Sequence, residues 1–333
     1  MKKLITILLI IVMAVGMIVP AYAENIQSRA VIGADLTDDQ IAAVYNAVGI
    51  KRGDAIELRV TNGEERQWLQ GYVDESLIGT RSISCVYVEL LPEGSGMDVT
   101  TSNITWCTGE MYISALATAG ITDARIIVAS PFEVSGTAAL TGVYKAYEDM
   151  TGKKLDDLAK LVSTQELTIT GELANEIGGM DSTSIVNDLK LMLDETQKMT
   201  DDEIRAEIID IAGRYNVSLT NTQIQQLIDL CRSLEGLDAD SLKARVEEVH
   251  HAKEEGVIFD LLTNPVEILT DENDWVKGIK VVSAMLTGIT PQMLRKMGDT
   301  IKSMDEPVIA VLAGVSDEKG NLLCPAFLYA TCR

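Results

Sequence analysis

A buried strand that leads directly into a helix lies near the middle of this sequence, over residues 124–142. The Ile- and Val-rich run at 126–129 predicts a strand that is covered on both faces. We expect Pro131 to end this strand, because proline cannot donate to a central ladder. Ser135 or Thr137 is a suitable N-cap for a helix over 136–150. Because α/β folds often place a site where a strand meets a helix N-terminus, the junction at 130–137 is the candidate site.

The elements around this junction predict one mixed sheet with helices packed on it. Thr37 and Gln40 form a capping-box pattern that opens a helix ending at Gly49. The turn at 92–96 predicts that the strand at 97–106 returns antiparallel to the strand at 82–91. The predicted order is β-α-β-α-β-β-α-β-α, with the remaining strands at 29–36 and 55–61 and the remaining helices at 62–73 and 108–119.

The fold class predicted for the whole chain is α+β, in three parts that follow a leader. Residues 24–152 form the sheet domain. Residues 153–255 carry apolar side chains at helical spacing throughout and predict a small helical bundle. Residues 256–333 read as a β-α-β-β module, with strands at 276–286, 307–315 and 321–330 and a helix at 290–304.

The N-terminus has the pattern of a secretory signal peptide over residues 1–23. Lys2 and Lys3 precede an apolar run over 4–19, and Ala21 and Ala23 fit a cleavage site before Glu24. The alternative is an uncleaved anchor helix, for which the apolar run is slightly short. We therefore predict a secreted protein, extracellular or associated with the cell wall, with no stable membrane anchor after cleavage.

Charge limits the classes of partner. The chain of 333 residues has a formal net charge of -22. This acidity argues against phosphate contacts, so no nucleic acid is expected to bind residues 24–250. It also argues against adsorption to anionic membrane surfaces. An unidentified envelope component or a small ligand is the expected partner.

The cysteines and histidines give little support to a metal site. The five cysteines form no C-x-x-C pair, and the only two histidines, His250 and His251, are adjacent. No cofactor is predicted. Cys85 and Cys107 lie on or beside two strands expected to pair, so one disulfide would suit an oxidising location. The alternative is two independent small hydrophobic side chains.

Five residues of the junction are the candidate ligand-binding set: Ser130, Glu133, Ser135, Gly136 and Thr137. Their hydroxyls and the backbone amides of Gly136 and Thr137 could hold an anion or a carboxylate. The spacing matches neither a P-loop nor a nucleophile elbow. The alternative is a structural role, in which Ser135 or Thr137 only caps the helix.

No complete catalytic set is recognisable, and whether the chain is an enzyme stays open. The only two histidines lie in the stretch 236–275, where the tail is expected to be joined to the rest of the chain, so Ser-His-Asp chemistry is not supported. The leading interpretation is a non-enzymatic envelope protein that binds a ligand or acts as a scaffold. The alternative is a cell-envelope hydrolase that uses carboxylates, such as Glu133 or Asp35, with a hydroxyl at the junction.

Four stretches carry a family resemblance: 33–36, 78–84, 110–120 and 131–142, the last being Pro-Phe-Glu-Val-Ser-Gly-Thr-Ala-Ala-Leu-Thr-Gly. On these stretches, residues 1 to about 240 resemble the YpuA-like family of secreted Gram-positive proteins of unknown function. The resemblance implies export and this order of domains. It implies no reaction and no catalytic residues.

The tail resembles a truncated C-terminal domain of alanyl-tRNA synthetase, on the stretches 281–285, 293–299 and 308–315. That family implies a small tRNA-contacting module, which suits a cytoplasmic protein better than an exported one. We therefore expect a recent fusion, or two reading frames joined in assembly, with the join between Gly236 and Trp275. An independent native domain is the alternative, and RNA contact through the tail is a third class of function.

Overall fold

The computed structural model describes residues 28–71 and 75–249, together with three strands of the tail. A five-stranded mixed sheet forms the first part. Its strands are β1 (Ser28–Gly33), β2 (Ile56–Val60), β3 (Cys85–Leu90), β4 (Met97–Ile104) and β5 (Ala124–Val134). The spatial order is β2-β1-β3-β5-β4. β1 pairs parallel to β2 and antiparallel to β3, and β5 pairs antiparallel to β3 and parallel to β4. The sequence-based prediction of an α+β fold with a mixed sheet is confirmed.

Helices connect these strands and then continue beyond the sheet. Those in the sheet region are α1 (Asp38–Val48), α2 (Asn62–Leu69), α3 (Glu75–Ile78), α4 (Gly109–Ala119) and α5 (Ala139–Thr151). Those that follow are α6 (Asp157–Ile177), α7 (Gly179–Leu191), α8 (Leu193–Thr196), α9 (Asp201–Arg214) and α10 (Asn221–Leu234), with a further helix over 239–249.

Threonine residues are the N-caps of several of these helices. Thr37 caps α1 through the predicted capping box with Gln40, and Thr61 caps α2 in the same way through Glu64. Each hydroxyl accepts a backbone N–H that would otherwise have no partner. Gly49 ends α1 in the left-handed region at φ 81°, where glycine avoids a Cβ clash.

The two faces of the sheet are covered differently. One face packs against α1, with Ile41, Val44 and Tyr45 lying over Ile32 and Cys85. The other face carries the larger core, to which α4, α5 and α6 contribute Tyr112, Leu140 and Leu167 among others. Alternate residues of each strand serve the two faces, as a sheet buried on both sides requires.

The antiparallel return predicted for β4 is wrong. β5 lies between β3 and β4, and β4 runs parallel to β5 at the edge of the sheet. The sequence difference explains the placement, because Asp98, Thr100 and Thr101 suit an edge, whereas Ile126 and Val128 of β5 are fully buried. α4 connects the two strands, as a parallel pair requires a crossover.

The disulfide proposed between Cys85 and Cys107 is absent from the structure, and both are buried free thiols. Cys85 packs under α1, whereas Cys107 belongs to the core on the opposite face. The sheet therefore separates the two sulfur atoms. Burial raises the pKa of the Cys85 thiol to about 11 and that of Cys107 to about 12, so both stay protonated at neutral pH.

The helical region has its own core and also contacts the sheet region. Its core includes the predicted stripes at Ile185, Leu189, Ile204 and Ile208. α6 packs along α4 as well as α7, so it belongs to both parts. The boundaries at 152 and 255 stay a prediction.

The described part of the tail is a three-stranded sheet of β6 (Lys280–Thr287), β7 (Val308–Val315) and β8 (Phe327–Ala330). β7 pairs parallel to β6 and antiparallel to β8. The three predicted strands are confirmed, whereas the predicted helix at 290–304 lies outside the described residues. The predicted signal peptide and both histidines lie outside them too.

Within the described ranges, none of the helices is both long and apolar enough to cross a bilayer.

Candidate ligand-binding cleft

An open cleft of about 640 Å³ lies beside the strand–helix junction. Three segments that are distant in sequence meet there. They are residues 78–84, the pair Thr105 and Trp106 after β4, and residues 133–138. The junction at 130–137 therefore lies at a cleft, as the sequence analysis expected of a site.

β5 reaches the cleft because it does not end at Pro131, and that prediction is wrong. The strand continues to Val134, which pairs with Ile104 across an irregularity in the register. Asn103 lies at this irregularity with φ 58°, and its side-chain amide donates to the Ser130 carbonyl at 2.8 Å. β3 pairs with β5 only as far as Ala129, so the proline falls where one neighbour is already lost. A bulge beside a sheet end is a position that tolerates proline.

The predicted capping role of Ser135 or Thr137 is also wrong. α5 begins at Ala139, and its N-cap is Ala138, which makes no side-chain capping bond. The hydroxyl oxygens of Ser135 and Thr137 lie 3.4 Å apart at the cleft wall. Both hydroxyls thus precede the helix, and Thr137, which is 1% exposed, lies within the wall of the cleft.

Of the five predicted site residues, Glu133, Ser135 and Thr137 line the cleft, and Ser130 and Gly136 do not. Ser130 is 1% exposed, and its Oγ is without a hydrogen-bond partner among the described atoms. Its position in the strand alternation places it on the same face as Ile126 and Val128, toward the core.

Gly136 shapes the cleft wall from behind. It has φ +96°, and its carbonyl accepts a hydrogen bond from the buried Tyr112 hydroxyl at 2.6 Å. A Cβ at this position would lie 2.5 Å from Ile104 Cγ2 and 2.6 Å from the Tyr112 oxygen. Only glycine fits here, for both its backbone conformation and its size.

The opposite wall is formed by residues 79–84, here called the cleft loop, which the site prediction did not include. Gly79, Thr80, Arg81, Ile83 and Ser84 of this loop line the cleft. The sequence predicts one strand over residues 82–91, whereas β3 begins only at Cys85. The signal that could have found the loop was the stretch 78–84, which had been noted only as part of the family resemblance.

The cleft loop is fixed at its base by Asp35, which follows β1. The Ser82 amide donates to the Asp35 carboxylate at 2.7 Å, and the Asp35 amide donates to the Ser82 carbonyl at 3.3 Å. Arg81 donates from one guanidinium nitrogen to the Asp35 carbonyl at 2.8 Å. Asp35 is therefore a loop anchor and lies outside the cleft lining.

A second carboxyl group lies beneath the loop. Glu65 of α2 is 0% exposed and accepts hydrogen bonds from the Ser82 hydroxyl at 2.5 Å and from the Asn62 side-chain amide at 3.3 Å. Burial raises the pKa of Glu65 to about 7, more than its two hydrogen bonds lower it, and Asp35 raises it further.

The cleft carries two exposed groups of opposite charge, Arg81 and Glu133. Neither forms an ion pair within the part of the chain that the structure describes. Glu133 lies in the open cleft, as the hydrolase interpretation requires, but it makes no hydrogen bond to a second polar group among these residues. In the same ranges, no three His, Cys, Asp or Glu side chains are grouped so that they could hold a metal ion.

A comparison with known families places this chain. The model of a family described as "Protein of unknown function (DUF1002)" matches residues 32–250. The chain belongs to the DUF1002 family. A relative, "Uncharacterized protein YpuA" of Bacillus subtilis (strain 168), is 38% identical over 213 residues, which are 63% of this chain and 72% of the relative. No solved structure matches.

The DUF1002 match covers every residue that lines the cleft and also Asp35 and Glu65 beneath it. The predicted resemblance to YpuA-like proteins is confirmed. The match ends at residue 250, so it does not bear on the tail, whose resemblance to alanyl-tRNA synthetase stays a prediction.

Proposed function

We propose that this DUF1002 protein is exported to the cell envelope and binds a polar ligand in the cleft without transforming it. The observation that carries the proposal is the convergence of Arg81, Glu133 and Trp106 on one open cleft. These residues come from three separate segments. Such a set of polar groups with one aromatic face is typical of ligand sites.

The charges indicate the chemistry of the ligand. Arg81 would pair with a carboxylate, Glu133 would accept from an ammonium or a hydroxyl, and the indole of Trp106 offers a flat apolar surface. The hydroxyls of Thr105 and Ser135 add shorter contacts. A molecule that carries acidic, basic and hydroxyl groups fits this lining, and soluble peptide-bearing fragments of Gram-positive cell wall have all three.

Calorimetric titration with such fragments, released from purified cell wall, tests the ligand. Glu133→Gln removes one charge without removing a fold contact, and we expect it to weaken binding by about tenfold. The matched control is Glu195→Gln, an exposed carboxylate on α8, which should bind like the unmodified protein. Equal affinity of all three proteins, or no binding, would contradict the proposal.

Chromatography of the fragments after incubation separates binding from hydrolysis. We expect their elution to stay unchanged. New products that depend on Glu133 would favour the hydrolase that the sequence analysis kept as its alternative.

Export is supported by the signal-peptide pattern at 1–23 alone. Fractionation of the native organism, followed by intact mass measurement, tests it. We expect the protein in the medium or the wall fraction, with a mass that begins at Glu24. A product that keeps residues 1–23 in the cytosol would contradict it.

A further inference from the structure

Ser82 lies in the cleft loop, but its side chain turns away from the cleft, unlike those of its neighbours Arg81 and Ile83. Its side chain is 0% exposed. All of its polar atoms are bound inside the protein, the hydroxyl to Glu65 and the backbone amide and carbonyl to Asp35. Ser82 therefore links the cleft loop to two carboxyl groups, one buried and one exposed, while Arg66 holds the start of the loop through the Gly79 carbonyl at 2.8 Å.

Among the residues that the structure describes, no cation pairs with the buried carboxyl group of Glu65. The cations on neighbouring elements pair elsewhere: Lys145 of α5 with Glu64, Arg66 of α2 with Glu75 of α3, and Lys160 of α6 with Glu148 and Asp157. Arg81 of the loop donates to the Asp35 carbonyl. The remaining titratable neighbours are the carboxylates of Asp35 and Glu64 and the Cys85 thiol of β3.

We propose that Glu65 is the positioning residue of the cleft loop, and that it holds the loop in its cleft-lining conformation as a neutral carboxylic acid. The inference rests on the proposed function for its meaning, since the loop forms one wall of the proposed binding site. Its geometry can be tested without any ligand.

The charges around Glu65 explain why its neutral form should stabilise the closed loop. An ionised Glu65 would be a buried anion without a cation, close to the second anion Asp35. Water would relieve this charge, and the cleft loop lies between Glu65 and the solvent at the cleft. Ionisation therefore favours an opened loop, in which the Ser82 hydrogen bonds are lost.

The sign of the pH dependence follows from the two states. When the loop is closed, the pKa of the Glu65 carboxyl group is about 7. When the loop is open and water reaches Glu65, we expect the ordinary pKa of 4.5. Between these values opening releases one proton, so it becomes easier as the pH rises. Above them both states are ionised and the dependence ends.

Hydrogen exchange measured by mass spectrometry on the intact chain tests this directly. Protection is expressed relative to the intrinsic exchange rate at each pH, and the reporters are the amides of residues 79–84 and of Asp35. We expect their protection to fall by roughly tenfold for each pH unit between about 5 and 7, and then to level off. Protection in α9 and α10 should not change.

Variants separate the charge of Glu65 from its packing. In Glu65→Gln the side-chain carbonyl can accept from Asn62 while the NH2 group donates to the Ser82 hydroxyl oxygen, so we expect high protection that does not vary from pH 5 to 8. In Glu65→Ala the acceptor is lost, so protection should be low throughout. Glu195→Gln, which removes an exposed carboxylate on α8, should keep the profile of the unmodified protein.

A flat profile in the unmodified protein would overturn the proposal, and so would an equal slope in Glu65→Gln, because another group would then be titrating. If Glu65→Gln fails to fold, an NMR titration of the unmodified protein with labelled glutamate carboxyl carbons replaces it. The absence of any glutamate resonance that titrates near pH 7 would overturn the proposal. Failure of ligand titration with normal loop exchange would instead count against the proposed function.

Discussion

Glu65 makes the stability of the whole protein depend on pH, apart from any effect on the loop. Its folded pKa of about 7 lies above the ordinary value of 4.5, so its contribution is fully present below 4.5 and is lost as the pH rises to about 7. We predict that Glu65→Gln raises the free energy of unfolding by about 3 kcal/mol at pH 8 and changes it little at pH 4.5. Urea unfolding at the two pH values checks this, and an equal gain at both would contradict it.

Gly136 is the residue at which a small substitution should cost most. Gly136→Ala would place a Cβ against Ile104 and Tyr112 at a φ of +96°, and we expect a loss of roughly 2–4 kcal/mol. Gly152→Ala is the matched control, since its φ is +65° but nothing lies within 4 Å of the added atom, so about 1 kcal/mol should be lost. Thermal unfolding of both variants decides, and equal losses would show that crowding at Gly136 is unimportant.

Residue patterns predicted three of the thirteen described residues that line the cleft. Glu133, Ser135 and Thr137 were found because a strand that meets a helix is a local pattern. The cleft loop was missed because its role depends on Asp35 and Glu65, which are distant in sequence and contact it only after folding. No local pattern distinguishes Ser82, which turns inward, from Arg81, which does not.

At the scale of elements, a buried polar network joins three helices. Lys190 of α7 and Glu166 of α6 form an ion pair at 2.9 Å with side chains that are 0% and 1% exposed. Lys190 also donates to the hydroxyls of Ser114 and Thr118 on α4, at 2.9 and 3.2 Å. Burial lowers the pKa of Lys190, although Glu166 opposes the shift.

Removing one member of this pair should be costly, because the other would be left as an unpaired buried charge. We predict that Lys190→Met lowers the free energy of unfolding by about 3–5 kcal/mol, and that adding Glu166→Leu recovers much of the loss. Denaturant titration measures both. Asp210→Asn, which breaks an exposed pair with Arg214, should change stability by less than about 1 kcal/mol. A double variant no more stable than the single one would contradict this account.

Elements themselves were largely predictable where their signals are local. Thr37, Gln40 and Gly49 define the eleven-residue helix α1 and its two caps, and the structure follows them. The neighbour of β4 could not be predicted from the local sequence. The turn at 92–96 favours pairing of β4 with β3, whereas the apolar side chains of β5 require that β5 lie between these two strands. Tertiary packing outweighed the local turn signal there.

At the scale of the molecule, the part that matches the DUF1002 family should fold alone. Val246 and Val249 of the last described helix are buried, which ties that helix to the rest. We predict that a protein of residues 24–250 unfolds in one cooperative transition at the same denaturant midpoint as the corresponding transition of the full chain. Circular dichroism measures this. A lower midpoint would show that the tail contributes to stability.

The meeting of three distant segments at the cleft has a kinetic consequence. Arg81, Trp106 and Glu133 approach one another only after β5 has inserted between β3 and β4 and the connection through α4 has closed. Non-local pairings of this kind form slowly, because the chain loses entropy before the contacts form. We therefore expect ligand binding to recover last during refolding. The time course of its recovery would show when the native strand order has formed.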